Sequence, residues 1–195
     1  MALKSLDERL SNITTAATDL FIEKGYKSTS LKDIALTTGV SKAGIYHYFK
    51  TKEDILSYIL FRFHKENFAA YEAAKDKLPD PVVDPERALK FIIRTYAQLS
   101  LRNAKVALLN LRERHQLTGS NRKNHLKEER RIFNILKNSI STIPGINKKY
   151  DLNAVAFQII SMSVWTGYWQ SEKGNLTQEG VIEQHIDIFC HGLFR

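Results

Sequence analysis

This sequence predicts an all-α protein of about nine helices, and three observations carry that prediction. Apolar residues recur at spacings of three and four along most of the chain, and nowhere do they alternate strictly enough to mark a strand. Several of these stripes are preceded by a helix-start signal: Ser, Thr or Asp placed to cap, twice with a carboxylate three residues on. Glycine, or proline with glycine, punctuates their ends.

The first helix is expected from about Leu6 to Lys24. Ile13, Ala16, Ala17, Leu20 and Phe21 form one stripe, and Gly25 stops it. Ser30 with Asp33 is a capping box that starts the second helix at Leu31, and Gly39 supplies the left-handed residue that ends it. Val40 plugs the corner. Ser41 caps a third helix whose buried positions are Ile45 and Phe49. Thr51 with Asp54 repeats the box for a fourth, expected from Lys52 to about Lys77. At ~1.5 Å per residue it spans nearly ~40 Å, long enough to belong to two regions.

Leu78 to Glu86 holds three of the four prolines and reads as a boundary. Asp84 then caps a fifth helix with Pro85 in its first turn, expected from Glu86 to about Leu101. A sixth is expected from Ala104 to about Leu117, with Thr118 to Asn121 as a turn. A seventh follows from Arg122 to about Ser141, an eighth capped by Asp151 to about Ser171, and a ninth capped by Thr177 from Gln178 to Leu193. Leu176 and Val181 are placed as a hydrophobic staple for the last.

Composition narrows the function classes. The 195 residues suffice for one good core, or a core plus a small module. A net charge of +8 favours polyanionic partners. The single cysteine, Cys190, lies in an apolar helix and reads as buried packing. It forms no intrachain disulfide, which fits a reducing compartment. No apolar run is long enough to span a membrane, and the first dozen residues lack the apolar core of a signal peptide, so the cytoplasm is expected.

The stretch from Ser30 to Lys52 is helix, glycine turn, helix: the helix-turn-helix pattern. Its second helix has an unusual outward face. A merely solvated face would carry Glu, Lys and Gln. Here Lys42, Ala43, Gly44, Tyr46, His47 and Tyr48 remain once Ile45 and Phe49 are buried. Small residues let a helix start approach a surface, tyrosine hydroxyls donate to phosphate, and lysine reaches the acceptor-rich edge of guanine. Between residues 24 and 52 six lysines face one aspartate. The competing reading is a helical hairpin used only for packing, with half-buried tyrosines.

From Phe21 to Leu56, FIEKGYKSTSLKDIALTTGVSKAGIYHYFKTKEDIL, preceded by Ala16-Ala17, the chain resembles the DNA-binding domain of the TetR family of transcriptional regulators. The resemblance implies a three-helix DNA-binding domain over residues 1–51 and a helical ligand-binding and dimerisation domain over 52–195. It implies phosphate contacts from Tyr46, Tyr48 and Lys52, base-edge positions at or near Lys42, Ala43, Gly44 and His47, and backbone contacts from Ser30 and Lys32. Ser41 completes the expected DNA-binding set.

The last two helices are apolar on more than one side, which admits either a central helix of a monomer or a second face against another subunit. A homodimer is expected, through Phe157, Ile160, Val164, Ile182, Ile186 and Phe189, because small helix-turn-helix proteins usually engage two half-sites. Candidate effector-pocket residues are Phe61, His64, Phe68, Tyr96, Leu99, Leu108, Arg112, His115, Phe133, Met162, Trp165 and Trp169, though each also suits plain core. Arg112 and His115 stand out as polar groups on an apolar helix, unless both simply face water.

From Val155 onward the chain is also similar to a TetR subgroup that senses acyl-CoA thioesters, which implies an apolar tunnel with basic residues at its mouth. Arg122, Lys123, Lys127, Arg130 and Arg131 suit that mouth, and a solvated basic face explains them equally. The expected function is a repressor released from double-stranded DNA by a small apolar effector, an acyl-CoA being the candidate. A constitutive DNA-binding protein without an effector is the alternative. No membrane partner and no cofactor are expected. The six histidines show no metal-ligand spacing, and phosphate-loop and nucleophile motifs are missing, so no enzyme and no metal site are expected.

Overall fold

A computed structural model describes residues 6–146, 149–169 and 176–193; the side chains of 168, 169, 192 and 193 are outside the description. Among the described residues there is no strand. The elements are α1 (Leu6–Glu23), α2 (Leu31–Thr38), α3 (Lys42–Tyr48), α4 (Lys52–Lys75), α5 (Pro85–Arg102), α6 (Ala104–Glu113), a 3-10 turn (Arg114–Gln116), α7 (Gly119–Ser141), α8 (Leu152–Trp169) and α9 (Gln178–Leu193). No helix among them is long and apolar enough to cross a membrane.

The chain forms two compact units. The first takes in residues 1–63 together with 105–126; the second takes in 64–104 and 127–195. The expected boundary at 51/52 therefore lies at the start of α4, whereas the units divide within it, and α6 joins the first unit from a distant part of the sequence. In that unit the α1 stripe of Ile13, Ala17, Leu20 and Phe21 packs with Ile34, Ile45, Phe49, Ile55, Leu56, Ile59 and Leu60, and Leu109 and Leu117 close the cluster.

The second unit is built on α5. Its stripe of Ala88, Leu89, Ile92, Ile93 and Ala97 is buried with Leu136 and Ile140 of α7, Val155, Ala156 and Ile159 of α8, and Ile182, Ile186, Phe189 and Cys190 of α9. Burial pushes the Cys190 thiol up to about 11, as suits a packing residue. Ser163 and Thr166 sit on the inward face of α8 and satisfy their hydroxyls on their own helix, donating to the carbonyls of Ile159 (2.7 Å) and Met162 (2.8 Å).

Two expectations about elements change. Residues 118–121, read as a turn, open α7: the Arg122 N–H reaches the Thr118 carbonyl at 3.0 Å. The Thr118 N–H, an orphan donor at a helix start, is taken by Glu53 at 2.8 Å. The sixth helix ends at Glu113 and tightens into a 3-10 turn that delivers Leu117 to the core.

Candidate functional site

The caps read from the sequence are formed. The Ser30 hydroxyl accepts from the Asp33 N–H (3.2 Å), and the Asp33 carboxylate accepts from the Ser30 N–H (2.8 Å) and hydroxyl (2.6 Å). These bonds, the side-chain one foremost, hold Asp33 below the usual carboxylate range. Gly39 closes α2 at φ +68°, a conformation that costs a residue with a Cβ. Ser41 accepts from the Gly44 N–H at 3.1 Å to start α3. Asn12 of α1 donates to the Thr38 carbonyl (3.3 Å), tying α2 to its support.

With Ile45 and Phe49 buried, α3 turns Lys42, Ala43, Tyr46 and His47 to solvent, and Ser41 is exposed at its start. The Lys42 ammonium lies 5.8 Å from the Tyr46 ring centre. Ser30 and Lys32 are exposed at the start of α2, and Lys24, Lys27 and Lys50 are exposed around them. Most of the expected set is thus exposed, a mixture of small, aromatic and basic groups. Leu36, which sequence reasoning passed over, is 72% exposed on α2. It breaks no helical period, so only the packing could show that it points out.

Three expected contacts are placed differently. A Cβ on Gly44 would stand 2.9 Å from a Val40 methyl, so this glycine answers to the corner of the motif rather than to an outside surface. Tyr48 is half-buried, packs against the core and meets the His47 ring edge-on at 4.9 Å. Lys52 is engaged within the unit. Its ammonium donates to the carbonyls of Tyr26 (2.5 Å), Thr29 (2.7 Å) and Lys27 (3.3 Å) and lies 4.3 Å above the Tyr26 ring. An ammonium has three hydrogens, and here three acceptors claim them. Burial pushes Lys52 below the usual lysine range, with Glu113 opposing. Its neighbour Glu53 binds the Thr118 N–H and hydroxyl and the Asn121 amide. The first turn of α4 thus fastens the turn before α2 on one side and the start of α7 on the other.

The second unit holds a narrow cavity lined by Asn67, Phe68 and Tyr71 of α4, Tyr96, Leu99 and Ser100 of α5, and Ile132, Ile135 and Leu136 of α7. Its open room is about 20 Å³, enough for a single water. Tyr71 and Ser139 share a 2.6 Å hydrogen bond. Burial, with the charge of Glu129, pushes the Tyr96 hydroxyl well up, keeping it neutral. The Arg131 guanidinium lies 3.5 Å from the Phe68 ring centre.

Of the expected pocket residues, Phe68, Tyr96 and Leu99 meet here; Asn67 and Ser100 were missed because each reads as an ordinary polar break in an apolar stripe, and Tyr71 because it reads as plain core of α4. His64 is buried on α4 but does not line this cavity. Phe61, Leu108, Arg112 and His115 fall in the first unit, and Arg112 and His115 both face water. Phe133 stacks on Phe157 at 4.7 Å. Trp165 is 48% exposed, and the Trp169 side chain lies outside the described residues.

The expected dimer residues also divide. Ile182, Ile186 and Phe189 are core of their own chain, because α9 turns that stripe to α5. The outward apolar groups are Phe157 (61% exposed), Trp165 and Ile188 (63%), with Ile160 and Val164 half-buried. Phe157 and Ile188 flank an open groove of about 440 Å³ that Met162 also lines.

Comparison with known proteins places these features in a family. Residues 13–59 match the family described as bacterial regulatory proteins, tetR family, and residues 83–193 match a tetracyclin repressor-like C-terminal domain. The HTH-type transcriptional repressor KstR2 of Rhodococcus jostii (strain RHA1) is 24% identical over 190 residues, covering 95% of this chain and 91% of that protein. The solved structure of PfmR from Thermus thermophilus, a TetR family transcriptional regulator, has a TM-score of 0.78 at 30% identity, covering 94% of this chain and 99% of PfmR. That of AibR in complex with isovaleryl coenzyme A and operator DNA has a TM-score of 0.77 at 25% identity, covering 93% of this chain and 97% of AibR.

Proposed function

The chain belongs to the TetR family of bacterial regulatory proteins, and from that premise we propose that it is a homodimeric repressor whose hold on operator DNA is released by a small apolar effector. The observation that carries the DNA half of the reading is the division of α3: Ile45 and Phe49 fixed inside, Lys42, Ala43, Tyr46 and His47 presented outside. Two copies of α3 would enter successive major grooves ~34–36 Å apart, with the surrounding exposed lysines on phosphates. The exposed apolar surface of Phe157, Trp165 and Ile188 supports pairing of two subunits through α8 and α9.

Two observations support effector control. The cavity in the second unit is apolar with a few polar groups, the composition of a ligand site. Helix α4 runs unbroken from Lys52 in the first unit to Lys75 in the second, so a ligand that displaces its cavity wall acts on the element that fastens the DNA-binding turn. AibR was solved with an acyl-CoA and operator DNA together, and the exposed basic residue Arg131, over the ring of the cavity residue Phe68, suits the same ligand class here.

Selection of duplexes from a random pool tests the reading. The wild type enriches an inverted repeat, and Lys42→Ala with Tyr46→Phe weakens the selected duplex by at least ~10-fold with unchanged circular dichroism. Failure to enrich any sequence overturns it. If DNA is bound but no acyl-CoA releases it, the constitutive alternative gains.

A further inference from the structure

Asn67 lies on the inward side of α4, where Leu56, Leu60, His64 and Tyr71 are buried and Phe68 is partly so. Its amide oxygen is buried and has no hydrogen-bond partner. An amide so placed lowers stability, and a leucine of similar size would not. It lines the cavity together with the Tyr96 and Ser100 hydroxyl-bearing side chains, while Tyr71 is already bonded to Ser139. The other lining groups are apolar or aromatic, and no ionised side chain is among them. Arg131 is engaged by the Phe68 ring face and by Glu128, 3.7 Å away.

We propose that Asn67 is the polar anchor of the effector, and that the part of the effector buried in this cavity is uncharged: an apolar chain or ring bearing one neutral oxygen or nitrogen. The inference rests on the effector-responsive reading and names its ligand class. A carboxylate or ammonium end would enter without a counter-charge, which a buried site with no ionised lining residue disfavours. A carboxamide carries both donors and an acceptor, so an alcohol, an amide or a thioester carbonyl finds a mate whichever way the amide is turned. An anionic head group stays outside the cavity, where Arg131 lies over the lining residue Phe68. The cavity has room for about one water, so a ligand larger than that parts Phe68 and Tyr71 of α4 from Leu99 of α5 and Ile132 of α7. Binding therefore changes how α4 packs against α5 and α7.

Thermal melts of the full chain with octanoyl-CoA, 1-octanol, octanoate and free coenzyme A test this. The wild type is expected to melt several degrees higher with octanoyl-CoA or 1-octanol and to ignore octanoate and coenzyme A. Asn67→Leu is expected to melt at or above the wild type without ligand, and to bind the stabilising probe at least about 10-fold more weakly. Should Asn67→Leu misfold, Asn67→Ala carries the same comparison. A wild type that ignores both neutral-ended probes, or responds equally to octanoate, overturns the ligand class. A variant that keeps the wild-type response overturns the anchor. Binding of the selected duplex is measured alongside: if the wild type binds no DNA, the regulator reading falls, whatever Asn67 does.

Discussion

Helices α3 and α8 each show more than their core requires, and they show opposite things. The outward side of α3 carries Lys42, Ala43, Tyr46 and His47, every one of them small or able to hydrogen-bond. The outward side of α8 carries Phe157 and Trp165, with Ile160 and Val164 half-covered. The first face tolerates water until a polyanion replaces it; the second is costly to leave wet. One chain thus presents a surface suited to nucleic acid and a surface suited to protein, on separate units.

The sharpest way to break that comparison is to give α8 a polar face. Phe157→Glu with Ile188→Glu is expected to turn the dimer into a folded monomer in sedimentation and to weaken operator binding by at least ~100-fold, since one half-site must act alone. A monomeric wild type, or a variant that stays dimeric, contradicts the assignment of that surface. A milder blow falls on the local frame of α3. Ser30→Ala removes a formed capping box and is expected to cost about 1 kcal/mol by denaturant titration, with operator binding weakened at least in proportion.

The mildest is acid. Hydrogen bonds to Thr118 and Asn121, outweighing the upward push of burial, hold Glu53 below its ordinary value of 4.5. Its contribution is fully present above that value and is lost as pH falls through the lower folded one. Glu53→Gln is therefore expected to flatten the acid limb of the melting curve below about pH 4.5, with little change at neutral pH. An unchanged acid limb would show that the latch to α7 contributes nothing.

Much of the first unit is legible in the sequence because its instructions are local. Ser30 and Asp33, Gly39, Ser41, and Thr51 with Asp54 each act within four residues, and each forms the bond its position implies. What escapes the sequence is tertiary. Lys52 reaches carbonyls 23 to 26 residues upstream, and no spacing rule distinguishes that from a lysine aimed outward. Gly44 has a reason to be small inside the chain, the approach of Val40, that no spacing rule reveals. In the second unit the period locates α8 and α9 but does not say which stripe faces α5. It therefore assigns buried Ile182, Ile186 and Phe189 to the subunit interface and passes over exposed Ile188. Arg112 and His115 show the converse: a polar pair, one at the end of α6 and one in the 3-10 turn after it, that simply faces water.

The salt dependence of operator binding tests the central claim most directly, because each phosphate or groove contact by a lysine releases counterions while an internal strut releases none. Binding of the selected duplex is followed against salt for the wild type, Lys42→Ala and Lys52→Met. The account predicts a log–log slope shallower by about one for Lys42→Ala, and a weaker but equally steep line for Lys52→Met. A Lys42→Ala line that coincides with the wild type, beside a shallower one for Lys52→Met, would contradict it.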